Sequence, residues 1–198
     1  FVHQRIGCLI SQREVGNHTP SFSEALLSAL REDPDVVLVG ELRDLDTMAT
    51  AITAAEMGIL VMGTLHTNGA AATVDRIVHA FPPDKQPHVR TMLSTSLRGV
   101  ISQQLCRLKA SEGRVAALEI LINTPAVANL LRQGKLDQLE TAMQSGAAVG
   151  MRTMDAALQE LLDRRFITAR EAYEKAISKE RFRKRAEESE PPPVRPGG

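Results

Sequence analysis

Two side chains that can take part in proton transfer each follow a run of aliphatic residues. Glu41 comes shortly after Val36–Val39, and His66 follows the apolar stretch 59–65. In open α/β sheets the carboxyl ends of parallel strands meet at the edge where ligands bind, so we expect Glu41 and His66 to reach one crevice. A carboxylate in that position of a nucleotide hydrolase orients the attacking water or holds Mg²⁺. The sequence therefore predicts a site of phosphoryl hydrolysis, with a purely structural carboxylate as the alternative for Glu41.

Capping signals and periodicity indicate the elements that hold these residues. Ser21 and Glu24 form a capping-box pattern, which predicts a helix that ends before Pro34. Asp44 is the predicted N-cap of the next helix, and another helix is predicted over residues 69–81. The inner face of the helix after Asp44 is predicted to consist of Leu45, Met48, Ala49, Ile52 and Ala55. The alternation of strands and helices predicts right-handed βαβ units and a parallel sheet, whose wholly aliphatic first strand should be buried on both faces.

The second half of the chain has a different pattern. Residues 100–108 and 115–122 are predicted to pair as a hairpin at the edge of the sheet. From Thr124, a predicted N-cap followed by Pro125, the pattern is wholly helical to about residue 180. The end of the chain is rich in charge and proline, which predicts disorder. The predicted organisation is therefore an α/β core over residues 1–123, a helical subdomain over 124–180 and a disordered tail over 181–198.

Composition excludes several classes of function. Formal charge is zero, from 24 basic and 24 acidic residues, and aromatic residues make up 3% of the chain. A nucleic-acid motor would need basic patches and stacking platforms, so no nucleic-acid partner is expected. Cys8 and Cys106 stand far apart, which argues against a zinc site. No apolar run approaches the ~20 residues that span a bilayer, and a cytoplasmic location is expected. The chain opens with Phe rather than Met, and we expect it to be part of a longer protein.

The stretch Leu30–Asp44 (LREDPDVVLVGELRD) resembles the signature of the secretion ATPases that power type II secretion and type IV pili. The fixed positions of that signature are all present: Arg31, Pro34, Asp35, Gly40, Glu41, Arg43 and Asp44. The resemblance extends from Gln12–Gly16 through Gly63–Thr67 to about Lys179. It implies an α/β fold with a partial RecA-like P-loop NTPase core, a mostly parallel sheet with helices on both faces, and a C-terminal helical subdomain.

The resemblance also implies roles for individual residues. Glu41 would be the catalytic acid at the end of the Walker B strand. His66, in a stretch that resembles the His box of the family, would sense the γ-phosphate or bridge to a neighbouring subunit. Arg43 would orient Glu41 or Asp44. The residues expected near the nucleotide and its Mg²⁺ are Gly40, Arg43, Asp44, Thr64 and Thr67. ATP and Mg²⁺ are the implied cofactors, with no metal bound directly by protein side chains and no zinc.

Two features of the family pattern are missing. No G-x-x-x-x-G-K-[ST] loop occurs, since the only Gly-Lys pair, at 134 and 135, continues into Leu. Many relatives have Gly-His-Leu-Val at the start of the second strand, where this chain has Ile at position 59. In the family the phosphate-binding loop, an acidic Asp box and arginine fingers precede the segment equivalent to residues 1–3, so we expect them upstream. The chain alone is expected to be inactive.

The helical part resembles one branch of the family, the retraction ATPases of the PilT type. Their Ala-Ile-Arg-Asn-Leu-Ile motif is matched by Ala126–Leu131, where the counterparts are Ala126, Asn129, Leu130 and Leu131 and where Ala128 replaces the Arg. This branch implies a ring, expected to be a hexamer, peripheral on the inner membrane and acting on a pilus platform protein. The alternatives are a PilU-like accessory ATPase, another secretion ATPase, or a non-enzymatic ring scaffold that lacks a phosphate loop.

Overall fold

A computed structural model describes residues 2–188 of the chain. In chain order its helices and strands are α1 (Phe22–Ala29), β1 (Val36–Val39), α2 (Leu45–Glu56), β2 (Leu60–Gly63), α3 (Ala70–His79), α4 (Gln86–Ser96), β3 (Gly99–Arg107), β4 (Arg114–Ile122), α5 (Pro125–Gln133), α6 (Leu139–Ser145), α7 (Met154–Asp163), α8 (Ala169–Lys175) and α9 (Lys179–Glu188). Short 3₁₀ turns cover Leu30–Glu32, Leu136–Gln138 and Ala147–Val149. From β1 to α3 the order of elements is the predicted alternation of strands and helices, and α4 follows as a helix that was not predicted.

The described chain forms two compact units. One contains the residues up to His66 together with Ile77–Leu97, and the other contains Thr67–Arg76 and the chain from Arg98 onward. The hairpin β3–β4 therefore belongs to the same unit as the C-terminal helices. The predicted boundary at residue 124 does not coincide with a boundary between these units, and the division into a catalytic core and a helical subdomain stays a prediction.

The first unit is built around the pair β1 and β2. These strands are parallel, and Val39 pairs with Gly63 at their carboxyl ends. Residues of α1 and α2 cover one face of the pair, where Val39 is buried in a cluster with Leu26 and Ala51. The other face is exposed, and its side chains are Val36, Leu38, Leu60 and Met62. The prediction that the first strand is buried on both faces is therefore wrong for the described residues, because both helices pack on the same side.

The second unit is built on the antiparallel hairpin of β3 and β4. The two strands pair along their whole length, from Gly99 with Ile122 to Arg107 with Arg114. The predicted hairpin is confirmed, but within residues 2–188 it forms a two-stranded sheet of its own rather than the edge of the parallel sheet. Its buried face packs on the C-terminal helices, in a cluster that includes Cys106, Ala117, Met154, Ala157, Leu158, Leu161, Ile167, Ala172, Ala176 and Phe182. Burial raises the pKa of the Cys106 thiol, and the negative charge of Glu171 adds to the effect.

The helix starts predicted at Ser21, Asp44 and Thr124 are confirmed, and Thr168 caps a further helix in the same way. Ser21, Asp44, Thr124 and Thr168 each accept a hydrogen bond from the backbone N–H three residues further on. Such a bond satisfies one of the donors that the first turn of a helix leaves without an intrahelical partner. These contacts fix where α1, α2, α5 and α8 begin.

The prediction of a disordered tail from residue 181 is wrong for residues 181–188, which are helical. Helix α9 covers Lys179–Glu188, and the side chain of Phe182 is completely buried in the cluster of the second unit. A buried aromatic side chain removes a large apolar area from water, which favours packing of this otherwise charged helix on the cluster. The predicted disorder of residues 189–198 lies outside the described residues. None of the helices described between residues 2 and 188 has the length and apolar character needed to cross a membrane.

Candidate active site at the ends of the parallel strands

The segments that follow β1 and β2 stay attached to each other beyond the strands. The backbone N–H of Leu42 donates to the carbonyl oxygen of Thr64 at 2.9 Å. The hydroxyl of Thr64 donates to the carbonyl oxygen of Gly40. Two backbone segments that carry candidate site residues are thereby held side by side at the carboxyl edge of the parallel pair. This is the edge at which open α/β sheets bind ligands.

Glu41 lies at this edge with a basic group on each carboxylate oxygen. Its Oε2 lies 2.6 Å from a terminal guanidinium nitrogen of Arg43, and its Oε1 lies 3.3 Å from Nε2 of His66. The carboxylate is 20% exposed, whereas the side chains of Arg43 and His66 are 70% and 85% exposed. The structure thus brings together the two candidate catalytic residues that the sequence predicts, and it leaves the carboxylate within reach of solvent.

This arrangement can orient a water molecule. A carboxylate accepts hydrogen bonds on both oxygens, and each oxygen has lone pairs beyond the one directed at its basic neighbour. Arg43 and His66 approach different oxygens, so together they favour one rotation of the carboxylate plane. Since both basic groups are largely exposed, the pairs contribute little to folding stability, of the order of 0–1 kcal/mol each. Their effect is on the orientation of Glu41.

Asp44 is occupied by the start of α2. One of its carboxylate oxygens accepts from the backbone N–H of Thr47 at 2.8 Å, and the other accepts from the Thr47 hydroxyl at 2.9 Å. The backbone hydrogen bond from Thr47 is the main cause that lowers the pKa of Asp44 below its ordinary value. The structure shows Asp44 as a helix cap, and the predicted association of Asp44 with nucleotide or Mg²⁺ stays a prediction.

Gly63 is a site residue whose importance the sequence analysis missed. A Cβ atom at this position would lie 2.7 Å from Cδ1 and 2.9 Å from Cγ of Leu42, the residue that follows Glu41. A side chain at position 63 would therefore push against the segment that carries the catalytic candidate. Gly40, in contrast, has free space, since its Cβ would meet only Phe22 at 4.0 Å. The sequence feature that could have indicated its importance is that Gly63 is the first residue of Gly63–Thr67, the stretch that resembles the His box.

Thr67 belongs to the second compact unit. Its hydroxyl lies 2.8 Å from the hydroxyl of Thr73 in α3, and Thr73 in turn donates to the carbonyl oxygen of Gly69. Thr67 is thus tied to the first turn of α3. The predicted contact of Thr67 with nucleotide stays a prediction.

The counterparts of the retraction motif lie on α5, and its predicted helix is confirmed. Leu131 is buried and Leu130 is half-buried, whereas Ala126 and Asn129 are exposed. Asn129 accepts a hydrogen bond from the side-chain amide of Gln133 at 3.1 Å, on the exposed side. The helix therefore has one face that packs inward and one, with Ala126 and Asn129, that is open to a partner.

Among residues 2–188, no group of three or more His, Cys, Asp or Glu side chains has an arrangement that could hold a metal ion. The carboxylate of Glu41 lies beside His66 at the strand ends.

Comparisons with known proteins agree with this architecture. A family model described as "Type II/IV secretion system protein" matches residues 10–188. The chain is 53% identical over 182 residues to the type IV pilus retraction ATPase PilT of Pseudomonas aeruginosa, covering 92% of this chain and 53% of that protein. It is 54% identical over 180 residues to a twitching motility protein of Neisseria gonorrhoeae, covering 91% of this chain and 48% of that protein.

Solved structures give the same result. A crystal structure of the pilus retraction motor PilT with bound ADP superposes with a TM-score of 0.84 at 44% identity, covering 92% of this chain and 51% of that one. The predicted α/β, RecA-like fold of a secretion ATPase is thereby confirmed. The chain spans about half the length of the relatives it matches. Since the family model matches most of its length, the chain belongs to the type II/IV secretion system protein family.

Proposed function

We propose that the protein that contains this chain is an ATP-hydrolysing motor that drives retraction of a type IV pilus. The observation that carries the proposal is the contact between Glu41 and His66 at the carboxyl edge of the parallel pair. An acid at that edge can orient the water that attacks a nucleoside triphosphate, and the imidazole beside it can respond to the terminal phosphate. The identity above 50% to relatives named for pilus retraction and twitching motility supports the choice of pathway.

The residues of this chain fit one side of a site for ATP and Mg²⁺. Glu41 offers a carboxylate that is accessible to water, and Thr64 offers a hydroxyl beside it. The side that grips the phosphates is not in this sequence, which has no G-x-x-x-x-G-K-[ST] loop. ATP would supply the phosphoryl group that is attacked, and Mg²⁺ would neutralise the charge on its oxygens.

Each residue of this site has a distinct part in the proposed mechanism. Glu41 would accept a hydrogen bond from water and align it for attack. As the water oxygen bonds to the γ-phosphorus, the bond from that phosphorus to the bridging oxygen would break, ADP would leave, and Glu41 would take up the proton that the water loses. His66 contacts Glu41 through Nε2 and, being largely exposed, can exchange this contact for one with a phosphate oxygen. Arg43 contacts the second carboxylate oxygen, so that one of the two basic contacts of Glu41 remains when His66 moves.

The proposed assembly is a homo-oligomeric ring, a hexamer, in which ATP lies between subunits. It would act on the cytoplasmic side of the inner membrane, on a platform protein of the pilus. The exposed face of α5, with Ala126 and Asn129, is the proposed surface that couples ATP turnover to retraction.

The decisive test is Glu41→Gln in the full-length protein. The amide keeps the size of the side chain but cannot take a proton from water, so kcat for ATP hydrolysis should fall by about 10²–10⁴-fold with the fold unchanged. Glu160→Gln is the matched control, because Glu160 also lies between two basic groups, Arg152 and Arg164, and should leave kcat unaltered. Normal hydrolysis by Glu41→Gln would refute the catalytic assignment. Absence of hydrolysis in the wild-type protein would favour a non-enzymatic ring scaffold.

A further inference from the structure

Glu119 is a buried carboxylate that joins the first turns of two helices. It lies in β4 and is 3% exposed. Its Oε1 accepts from the backbone N–H of Ala70, the first residue of α3, at 2.6 Å. Its Oε2 accepts from the backbone N–H of Met154, the first residue of α7, at 3.1 Å. One side chain thus satisfies two helix starts that are distant in sequence.

A carboxylate suits this position better than any neutral side chain. The first N–H groups of a helix have no intrahelical partner and carry a partial positive charge, so both helices attract an anion. Two acceptor oxygens are needed, one for each helix. A glutamine of the same size would offer one acceptor and would turn its NH₂ group towards the other backbone N–H, where two donors oppose each other.

A second side chain of the hairpin completes the attachment of α3. Ser102 is the cross-strand partner of Glu119, and its hydroxyl accepts from the backbone N–H of Gly69 at 3.1 Å. Gly69 has a φ of +98°, and a Cβ there would lie 3.3 Å from Oε1 of Glu119. The hairpin therefore holds two consecutive backbone donors at the start of α3, and only glycine fits the first position without strain.

This attachment leads directly to Thr67. The carbonyl oxygen of Gly69 accepts from the hydroxyl of Thr73, which lies 2.8 Å from the hydroxyl of Thr67. Thr67 is the residue after His66 in the chain. A shift of the α3 start relative to the hairpin would displace Thr67, and α7 is fixed to the same carboxylate.

We propose that Glu119 is a positioning residue for ATP hydrolysis. By binding the starts of α3 and α7 with one carboxylate, it sets the position of Thr67 through the first turn of α3. The proposal rests on the proposed ATPase function. It assigns to Glu119 no contact with nucleotide, because the carboxylate is buried and its two oxygens are directed at the two helix starts.

The test is Glu119→Gln in the full-length protein, compared with Asp155→Asn. Asp155 is also a buried carboxylate of the second unit, 4% exposed, and accepts from the backbone N–H groups of Ile177 and Ser178 at 2.8 and 2.9 Å. Both variants lose one buried acceptor and should lower Tm to a similar extent. Only Glu119→Gln should lower kcat, by about tenfold, with KM for ATP changed less than about twofold.

Amide hydrogen exchange supplies a readout that does not depend on activity. Glu119→Gln should lose protection in the first turn of α3, and Asp155→Asn, whose substitution lies in α7, should keep it there. Should Glu119→Gln fail to fold, Ser102→Ala removes the weaker bond to Gly69 and should lower kcat in the same direction by a smaller factor.

Two results would overturn the positioning role: an unchanged kcat for Glu119→Gln, or an equal loss of kcat in Asp155→Asn. If the wild-type protein hydrolyses no ATP, the proposed function fails, and the exchange experiment then decides whether Glu119 fixes the start of α3. Equal protection of the first turn of α3 in both variants would refute the role of Glu119 in fixing that helix start as well.

Discussion

His66 reaches Glu41 through the parallel pairing of the strands that precede them, with Nε2 of the imidazole 3.3 Å from Oε1 of the carboxylate. Parallel strands in register bring their following residues to the same edge, and Val39 opposite Gly63 sets that register. The contact is made by an imidazole that is 85% exposed, so it costs little to break. An imidazole held this loosely is suited to changing partners.

The first prediction concerns His66→Ala. Because the side chain is exposed, its loss should change the free energy of unfolding by less than about 1 kcal/mol. Because it orients Glu41, its loss should lower kcat for ATP hydrolysis by about 10–100-fold in the full-length protein. Steady-state kinetics and urea unfolding measure the two effects. A variant that hydrolyses ATP at the normal rate would show that the contact with Glu41 has no catalytic consequence.

The second prediction concerns the close approach of Gly63 to Leu42. Gly63→Ala should destabilise the protein by about 1–3 kcal/mol, because the added methyl would overlap the Leu42 side chain. Leu42→Ala removes the atoms that clash, so the effect of Gly63→Ala should be smaller in that background. A double-mutant cycle by urea unfolding measures the coupling. Additive losses would mean that the backbone, and not Leu42, meets the methyl group.

The caps were predictable because they are local. Asp44 accepts a hydrogen bond from the backbone N–H of Thr47, which is only three residues further along the chain. Residue types alone indicate such an N-cap hydrogen bond. The hydrogen bonds of Glu119 to the starts of α3 and α7 were not predictable, since 49 residues separate it from Ala70 and 35 from Met154. A single acid in an apolar strand gives no sign of which backbone donors it will meet.

The inner face of α2 shows a different limit of sequence reasoning. Of its predicted inner residues, Met48 and Ile52 are buried, but Leu45 is exposed, and the further buried positions are Thr47, Ala51 and Ala54. The helix contacts both α1 and α4, so its buried surface is not centred on the most apolar stripe. Thr47 can be buried there because Asp44 accepts from its hydroxyl.

The third prediction is a pH dependence at Asp44. Its folded pKa is lowered, so the cap contributes stability above the unfolded pKa of about 3.9, and this contribution is lost as pH falls through the folded value. Asp44→Ala should therefore cost about 1 kcal/mol at pH 7 and less at pH 3. Urea unfolding at both pH values gives the difference.

Asp44→Asn is the control for that experiment, since asparagine is a good N-cap without charge. It should lose less than Asp44→Ala at pH 7, and its cost should also shrink in acid. A cost of Asp44→Ala that grows as pH falls would contradict the assigned direction of the pKa shift.

The fourth prediction tests whether α9 is part of the folded protein. Phe182→Ala should destabilise the second unit by about 3–5 kcal/mol, because the ring is completely buried in its cluster. Arg183→Ala is the control on the same helix, and it should change stability by less than about 0.5 kcal/mol, because its ion pairs with Glu180 and Glu187 lie on the surface. Thermal unfolding followed by circular dichroism measures both. If the two substitutions have the same small effect, residues 181–188 form the solvated tail that their composition predicts, and the packing of Phe182 adds nothing to the fold.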